Sequence, residues 1–492
     1  MQSKGNYKGK KGKSRNNRKE SYNSKRTIDT GVENESKSKV EDRSSCNDVS
    51  WYAHNPQLLI DSASFSFNNP LGSRIGWENF GFPGVYYDTA RVPGIMQIDV
   101  MLTPGLAKTK ADPINVAANN IYSYVRYANS GARNYDAPDL MLYILAMDSL
   151  YACWNWGLRA YGLMKVFSQT NRYYPATLVQ ASGFDYDDLA GHLADFRQYL
   201  NLSAAKISAF CIPSSLSVLK RHSWMFANAY LDSNNVKAQT YMYIPRAFYK
   251  YEETSGMGRL KAIATKPSGN PNFTFAQFKA LLDQMLDAMQ WSEDIGIMSG
   301  DILKAYGQSN LFTMSPVNED YTVLPVYNEE VLKQVQNATV YPALWEVGSD
   351  KWDITQTEDG ALQFNPTFNN DTRMLGYTLP RLVTYPTNDV PPADVMVGTR
   401  LTNIMRVIDK GVRVEFVDVG TEVCSGARIY LFSNDGGSIS DGKSVFTYLD
   451  STLDLEVGEA SASTIWRVIN KQGLLSNFNW HPTTIVGDLR LA

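Results

Sequence analysis

Cysteine and histidine are scarce in this chain, whose 492 residues include only four of each. The cysteines, Cys46, Cys153, Cys211 and Cys424, lie far apart and form no CxxC pair. This spacing excludes a disulfide-rich scaffold and gives no zinc-binding pattern. Because Cys153 and Cys211 lie in apolar stretches, we expect them to contribute packing rather than reactivity.

Signatures of catalysis are also lacking. The sequence contains no GxSxG elbow, no GxGxxG fingerprint after a predicted strand and no HExxH pair. The glycines at Gly436-Gly437-Ser438 fall in a polar, turn-rich stretch at 433–444, which we interpret as an exposed hairpin or loop tip. We therefore predict a protein that is not an enzyme and that needs neither a cofactor nor a metal.

A membrane span and a signal peptide are not indicated either. Residues 141–164 are mostly apolar, but Asp148, Asn155 and Arg159 interrupt them, and charges at bilayer depth are costly. Asp136-Ala-Pro-Asp139 precedes this run with a cap residue and an early proline, which predicts a helix start. We expect a long buried helix, with Trp154 and Trp156 as core residues, in an intracellular chain without a leader peptide.

Positive charge is concentrated at the N-terminus. Residues 1–26 hold ten Lys or Arg and one acid, whereas the remaining chain holds 37 basic and 49 acidic residues. This asymmetry predicts a basic arm on an acidic body. The ten basic residues are Lys4, Lys8, Lys10, Lys11, Lys13, Arg15, Arg18, Lys19, Lys25 and Arg26.

The arm has the composition of a flexible polycation, because glycine, asparagine and serine separate its charges. Such a segment neutralises phosphates but holds no donors in fixed positions, so we predict RNA binding that is salt-sensitive and independent of sequence. A nuclear-localisation signal, a patch for anionic membranes and plain solubilising disorder are alternatives that composition leaves open.

The chain divides into three parts by composition, and we predict a mainly α fold. Residues 1–50 are a disordered arm, basic over 1–26 and of mixed charge over 27–50. Residues 51–310 form a mainly helical body that begins with loops and short extended pieces, and residues 311–492 are richer in β-structure. The predicted helices cover about 114–129, 138–167, 175–181, 187–200, 204–211, 214–230, 274–290 and 299–306; the predicted strands cover 237–245, 412–418 and 427–432.

Asp188, His192 and Asp195 recur at spacings of four and three, which on one helix would give a face able to hold a metal. However, Asp185 is a natural N-cap, and acidic residues suit a first helical turn. No further ligands complete a set, so we favour a helix start over a metal site.

The helical body resembles the capsid proteins of picobirnaviruses, which are double-stranded RNA viruses. The resemblance rests on Arg172-Tyr-Tyr-Pro-Ala-Thr-Leu-Val179 with Gly183-Phe-Asp185, on Trp224 to Asp232, on Lys237 to Pro245, and on Trp291 to Asp301. It covers roughly residues 110–310. Partitivirus coat proteins are similar at a greater distance.

The resemblance implies a self-assembling coat protein. In that family an α-helical shell domain carries a protruding domain, subunits pair, and 60 dimers form an icosahedral particle with a basic N-terminal segment inside. Here the shell domain would be 51–310, with 311–492 as the protruding portion and shell-completing segments, in the virion and in the host cytoplasm during assembly. Some family members lose the N-terminal segment by autoproteolysis, but no cleavage residues transfer to this sequence.

Two other hypotheses remain at this point. One is a non-viral nucleic-acid-binding protein with an acidic, helical body that binds a partner. The other is an enzyme of unrecognised class that uses Asp185, Asp188 and His192.

Overall fold

The computed structural model describes residues 74–76, 89–91, 95–130, 135–166, 174–232, 240–254, 256–265, 272–339, 350–369, 390–411 and 413–429. About 50% of this part is helical and 23% is in strands, so the predicted mainly α class is confirmed. The division into shell and protruding domains stays a prediction. The predicted arm at 1–50 and the predicted hairpin or loop at 433–444 lie outside the described residues.

Ten α-helices occur in the described part of the chain. They are α1 (Pro113–Ala128), α2 (Ala137–Met164), α3 (Tyr174–Ala181), α4 (Tyr186–Gly191), α5 (Leu193–Ile207), α6 (Ser217–Ala227), α7 (Phe275–Gln290), α8 (Glu293–Tyr306), α9 (Glu329–Gln336) and α10 (Pro392–Gly398).

Helix α2 is the centre of the helical core, and 24 of its 28 residues are buried. It begins where the sequence predicts, because the Asp136 N–H donates to the Asp139 carboxylate at 3.0 Å and Pro138 fits the first turn. Both predicted core tryptophans are buried, and their indole N–H groups donate to backbone carbonyls: Trp154 to Leu200 and Trp156 to Ser182. Helices α3 and α5 are thereby fixed against α2.

The rings around Trp156 form an aromatic cluster. The centroid of the Trp156 ring lies 4.5 Å from that of Phe184, 5.3 Å from that of Phe273 and 6.1 Å from that of Phe278. Edge-to-face and tilted pairs at these distances add to the burial energy of the rings. The cluster joins α2, the residues before α4, and α7 into one core.

Fourteen strands are described. They are β1 (Arg74–Gly76), β2 (Thr89–Arg91), β3 (Ile95–Leu102), β4 (Tyr230–Leu231), β5 (Thr240–Pro245), β6 (Ala247–Thr254), β7 (Met257–Ala264), β8 (Val326–Tyr327), β9 (Thr355–Gln356), β10 (Leu362–Gln363), β11 (Thr367–Asn369), β12 (Ile404–Ile408), β13 (Arg413–Asp418) and β14 (Glu422–Ile429). The largest sheet has the order β14-β3-β5-β4-β8, and a second, antiparallel sheet has the order β11-β13-β12.

The five-stranded sheet joins distant parts of the chain. Strand β3 pairs in parallel with β5 and antiparallel with β14, so that Leu102 lies opposite Glu422. All eight residues of β3 are buried, as expected for a strand covered on both faces. A strand from the predicted C-terminal portion is therefore part of the sheet that borders the helical core.

Several predicted boundaries need correction. The predicted helix at 187–200 is broken at His192, which leaves the helical conformation (φ −121°, ψ 20°) and separates α4 from α5. The predicted gap between 200 and 204 is absent, because α5 continues through it and the Ser203 hydroxyl donates to the Leu200 carbonyl within the helix. The predicted helix at 299–306 begins six residues earlier, since Ser292 caps it with a bond from the Ile295 N–H.

Three strand elements inside the predicted helical body differ from the prediction. The first is β3, an eight-residue strand within 51–110, where loops and short extended pieces are predicted. The second is β4, whose Tyr230 lies within the predicted helix at 214–230, of which Ser217–Ala227 is helical as α6. The third is the hairpin of β6 and β7, whose register runs from Ala247 opposite Ala264 to Thr254 opposite Met257. Residues 240–245 of the predicted 237–245 strand are described as β5, and residues 413–418 of the predicted 412–418 strand are described as β13.

Candidate functional site

The ten basic residues predicted to bind RNA, between Lys4 and Arg26, lie outside the described residues. Their role stays a prediction, and the structure brings none of them together. A P-loop-like pattern also lies outside the described residues. Gly437, Gly442, Lys443 and Ser444 match the spacing GxxxxGK[ST] within the polar, turn-rich stretch at 433–444. The pattern predicts a phosphate site only between a strand and a helix, so spacing alone assigns it no function.

The acidic cluster at 185–195 is a helix start, as favoured from the sequence. The Asp185 carboxylate accepts hydrogen bonds from the N–H groups of Asp187 and Asp188, at 3.0 and 3.1 Å. The Asp188 carboxylate accepts a hydrogen bond at 2.6 Å from the N–H of Phe275, the first residue of α7. His192 separates α4 from α5, so Asp188, His192 and Asp195 do not share one helix.

A buried ionic cluster is the most unusual polar feature of the described residues. Asp148 on α2, Arg221 and His222 on α6, and Glu422 at the start of β14 form it. His222 Nδ1 lies 2.6 Å from Asp148 Oδ2, and His222 Nε2 lies 3.3 Å from Glu422 Oε1. The Asp148, His222 and Glu422 side chains are at most 5% exposed. We call these four residues the buried ionic cluster.

Arg221 is the second cation of the cluster and connects Glu422 to helix α9. Its Nε donates to Glu422 Oε1 at 2.5 Å and its guanidinium also donates to Gln334 Oε1 at 3.1 Å. The Tyr243 hydroxyl donates to the same amide oxygen at 3.3 Å. Helix α9 and strand β5 are thus connected to the cluster through neutral partners.

The charges in the cluster shift the pKa values of two members in opposite directions. Burial alone would lower the pKa of His222, but the Asp148 carboxylate, with help from Glu422, raises it from 6.5 to about 9. Burial alone would raise the pKa of Glu422, but the adjacent His222 and the charge of Arg221 lower it from 4.5 to about 2. His222 and Glu422 are therefore both charged near neutral pH.

A second buried cation lies one turn from the end of α2. Arg159 is fully buried, and its Nη1 donates to the Asn228 carbonyl at 3.2 Å, just past the last residue of α6. Burial lowers its pKa to about 9. A cation at this position complements the negative end of the α6 dipole, so Arg159 acts as a helix cap.

An open cleft of about 430 Å³ lies between α2 and the extended segment at 312–321. Tyr151, Trp154 and Leu158 form its floor, and no charged side chain lines it. Ligand sites of this size usually place several polar groups around one point. Asn155 on α2 and Ser223 on α6 line the cleft, and the Asn155 amide already donates to the Tyr151 carbonyl. The extended segment adds the polar side chains Thr313, Ser315 and Asn318.

Few other site-like features occur in the described part of the chain. No group of three or more His, Cys, Asp or Glu side chains there is arranged to hold a metal. No helix there combines the length and the hydropathy needed to cross a bilayer. Tyr127, Trp291 and Met396 are 92%, 81% and 73% exposed, but single exposed apolar side chains are normal and do not by themselves define an interface.

Comparison with known proteins gives the family. A family model for the picobirnavirus capsid protein matches residues 51–434. The chain belongs to this family. The resemblance stated from residues 172–301 is thereby confirmed, and the alternative of a non-viral nucleic-acid-binding protein loses its support. Capsid proteins are structural rather than enzymatic.

Two relatives describe the extent of the match. The capsid protein precursor of human picobirnavirus (strain Human/Thailand/Hy005102/-) is 34% identical over 346 residues, which are 66% of this chain. These residues span 62% of that relative's own length. An X-ray structure of the picobirnavirus capsid superposes with a TM-score of 0.70 over 88% of this chain and 89% of that one, at 24% identity. At this identity the structural likeness shows the fold.

Proposed function

We propose that this chain is the structural protein of a virion, which pairs with itself and assembles as 60 dimers into an icosahedral shell around double-stranded RNA. The observation that carries this proposal is the capsid-family match over residues 51–434. Assembly would take place in the host cytoplasm, with the basic arm facing the particle interior and binding RNA non-specifically.

The charge distribution supports the role of the arm. The match to the capsid family begins at residue 51, so the arm at 1–50 precedes it. Ten of the 47 Lys and Arg residues fall within the first 26 positions. A flexible polycation attached to an acidic body attracts RNA to the inner surface without fixing its sequence or register.

A count of charges limits what the arms can achieve. If 120 arms each bring about nine net charges, the interior gains roughly 1,100 positive charges against about 2,950 phosphates in a duplex that merely encodes this chain. The arms would balance about a third of that minimal duplex. We therefore propose that they recruit and tether RNA, while small counterions neutralise most of it.

Particle imaging and RNA content test the proposal directly. We expect the expressed full chain to form closed particles in electron micrographs and to retain RNA after nuclease treatment. A chain that stays monomeric under all assembly conditions would contradict the assembly proposal.

The arm is tested by neutralising half of its charge. Lys4, Lys8, Lys10, Lys11 and Lys13 are replaced together by Gln, which lowers the net charge of residues 1–26 from about nine to about four. We expect particles to form with roughly half as much RNA, measured by absorbance after particle purification. The matched control replaces the same five lysines by Arg, which keeps the charge and should keep the RNA. Equal RNA content in both variants would refute a charge-based tether.

A further inference from the structure

The geometry around His222 favours a protonated ring, because each ring nitrogen faces a buried carboxylate oxygen. Nδ1 faces Asp148 Oδ2 at 2.6 Å, and Nε2 faces Glu422 Oε1 at 3.3 Å. A neutral imidazole carries a single N–H, so its other nitrogen would point a lone pair at a carboxylate. The imidazolium alone interacts favourably with both, through a hydrogen bond to Asp148 and an ion pair without hydrogen-bond geometry to Glu422.

We propose that protonated His222 is a latch that holds strand β14 to helices α2 and α6, and that loss of its proton at alkaline pH releases this strand. The latch is a property of the folded subunit and does not depend on the proposed RNA binding.

Charge balance in the buried ionic cluster explains why one proton has this effect. Asp148 and Glu422 are matched by Arg221 and His222 while the imidazole is protonated. Without that proton, Arg221 still pairs with Glu422, but Asp148 keeps no ion-pair partner within the cluster. Asp148 Oδ1 and Glu422 Oε2 are buried without a hydrogen-bond partner, so no other bond compensates at these atoms.

The groups that face the cluster from other elements do not replace the proton. Gln334 on α9 is neutral, and burial raises the pKa of the Tyr243 hydroxyl on β5, which keeps it neutral as well. Arg400, which follows α10, adds a favourable charge to Glu422. Asp148 has His222 as its ion-pair partner.

Strand β14 is the element that this cluster can release. It lies at the end of the five-stranded sheet, where β3 is its strand neighbour among the described residues. Glu422 is the first residue of β14, so the cluster ties the beginning of the strand to the helical core. When the tie is lost, the strand keeps its bonds to β3 but loses its side-chain anchor.

Hydrogen exchange read by mass spectrometry on the full chain tests the latch. Protection of peptides covering 422–429 is measured from pH 6 to 10 and divided by that of peptides from the β6–β7 hairpin, which removes the intrinsic pH dependence. Because the pKa of His222 is raised from 6.5 to about 9 in the folded state, we expect the protection ratio to be constant below pH 6.5 and to fall between pH 6.5 and 9, by at most about tenfold per pH unit.

Substitutions separate the latch from general alkaline loosening. His222→Gln should abolish the pH slope of the ratio, whereas His192→Gln, at a half-exposed histidine, should leave it unchanged. Asp148→Asn removes one of the two facing carboxylates and should reduce the slope, which keeps the test decisive if His222→Gln does not fold. A flat ratio in the wild type, or the same slope in His222→Gln, overturns the proposal.

Discussion

At the scale of single residues, packing against glycine distinguishes two positions that look alike in sequence. Gly157 in α2 and Gly300 in α8 both lie inside helices. A Cβ at Gly157 would collide with the ring of Phe278, whereas a Cβ at Gly300 would meet no atom within 4 Å. The first glycine is needed for the close approach of α7 to α2, and the second only weakens its helix.

Opposite stability effects are therefore expected for the same change. Gly157→Ala should lower the free energy of unfolding by about 1–3 kcal/mol, because the buried ring has to move. Gly300→Ala should raise it by up to about 1 kcal/mol through better helix propensity. Urea unfolding followed by circular dichroism measures both, and two changes of the same sign would contradict this account of the packing.

At the scale of elements, the start of α7 shows how local and distant groups share one helix end. The Thr274 hydroxyl accepts the Gln277 N–H, and the Gln277 side chain accepts the Thr274 N–H in return. The Asp188 carboxylate accepts the Phe275 N–H. Three otherwise unpaired donors are thereby satisfied next to the positive end of the helix dipole.

Loss of this cap should be measurable. Thr274→Ala should cost about 1 kcal/mol of unfolding free energy. Thr313→Ala, at an exposed threonine in an extended segment, serves as the control and should change stability little. Thermal unfolding of both variants decides the matter, and equal midpoints would show that the cap contributes nothing.

Caps and periodicity made the helices predictable, and the lack of them explains most of the missed elements. Helix α7 begins one residue after its predicted capping-box threonine, and α2 begins one residue before its predicted start. Strand β3 carries no comparable local signal, since its partners are β5 and β14, more than a hundred and more than three hundred residues away. Its conformation is set by those long-range partners.

The buried ionic cluster could not be predicted from the sequence either, because Asp148, His222 and Glu422 lie far apart in the chain and form no short motif. The available signal was a charged residue inside an apolar run. Asp148 excluded a membrane span, but it did not identify its partners. By contrast, the role of Asp185 as a helix cap was predictable because its partners are two and three residues away.

At the scale of the whole molecule, the cluster predicts how stability changes in acid. The pKa of Glu422 is lowered on folding, so its contribution is fully present above pH 4.5 and is lost as the pH falls toward about 2. We expect Glu422→Gln to cost about 3–5 kcal/mol at pH 7, because Arg221 and His222 lose a buried counter-charge.

The difference between wild type and Glu422→Gln isolates this group from the other carboxylates. Urea midpoints measured from pH 2 to 7 should differ most above pH 4.5 and should converge toward pH 2. A difference that stays constant over this range would show that Glu422 does not titrate in the way its surroundings require.

The pairing of Leu102 with Glu422 also has a consequence for the time at which a subunit is finished. About 320 residues separate the two, so at about 5–20 residues per second a ribosome needs roughly 16–64 s between them. During that time strand β3 lacks one of its two neighbours, β14. A nascent chain therefore cannot close its five-stranded sheet before residues 422–429 have been synthesised.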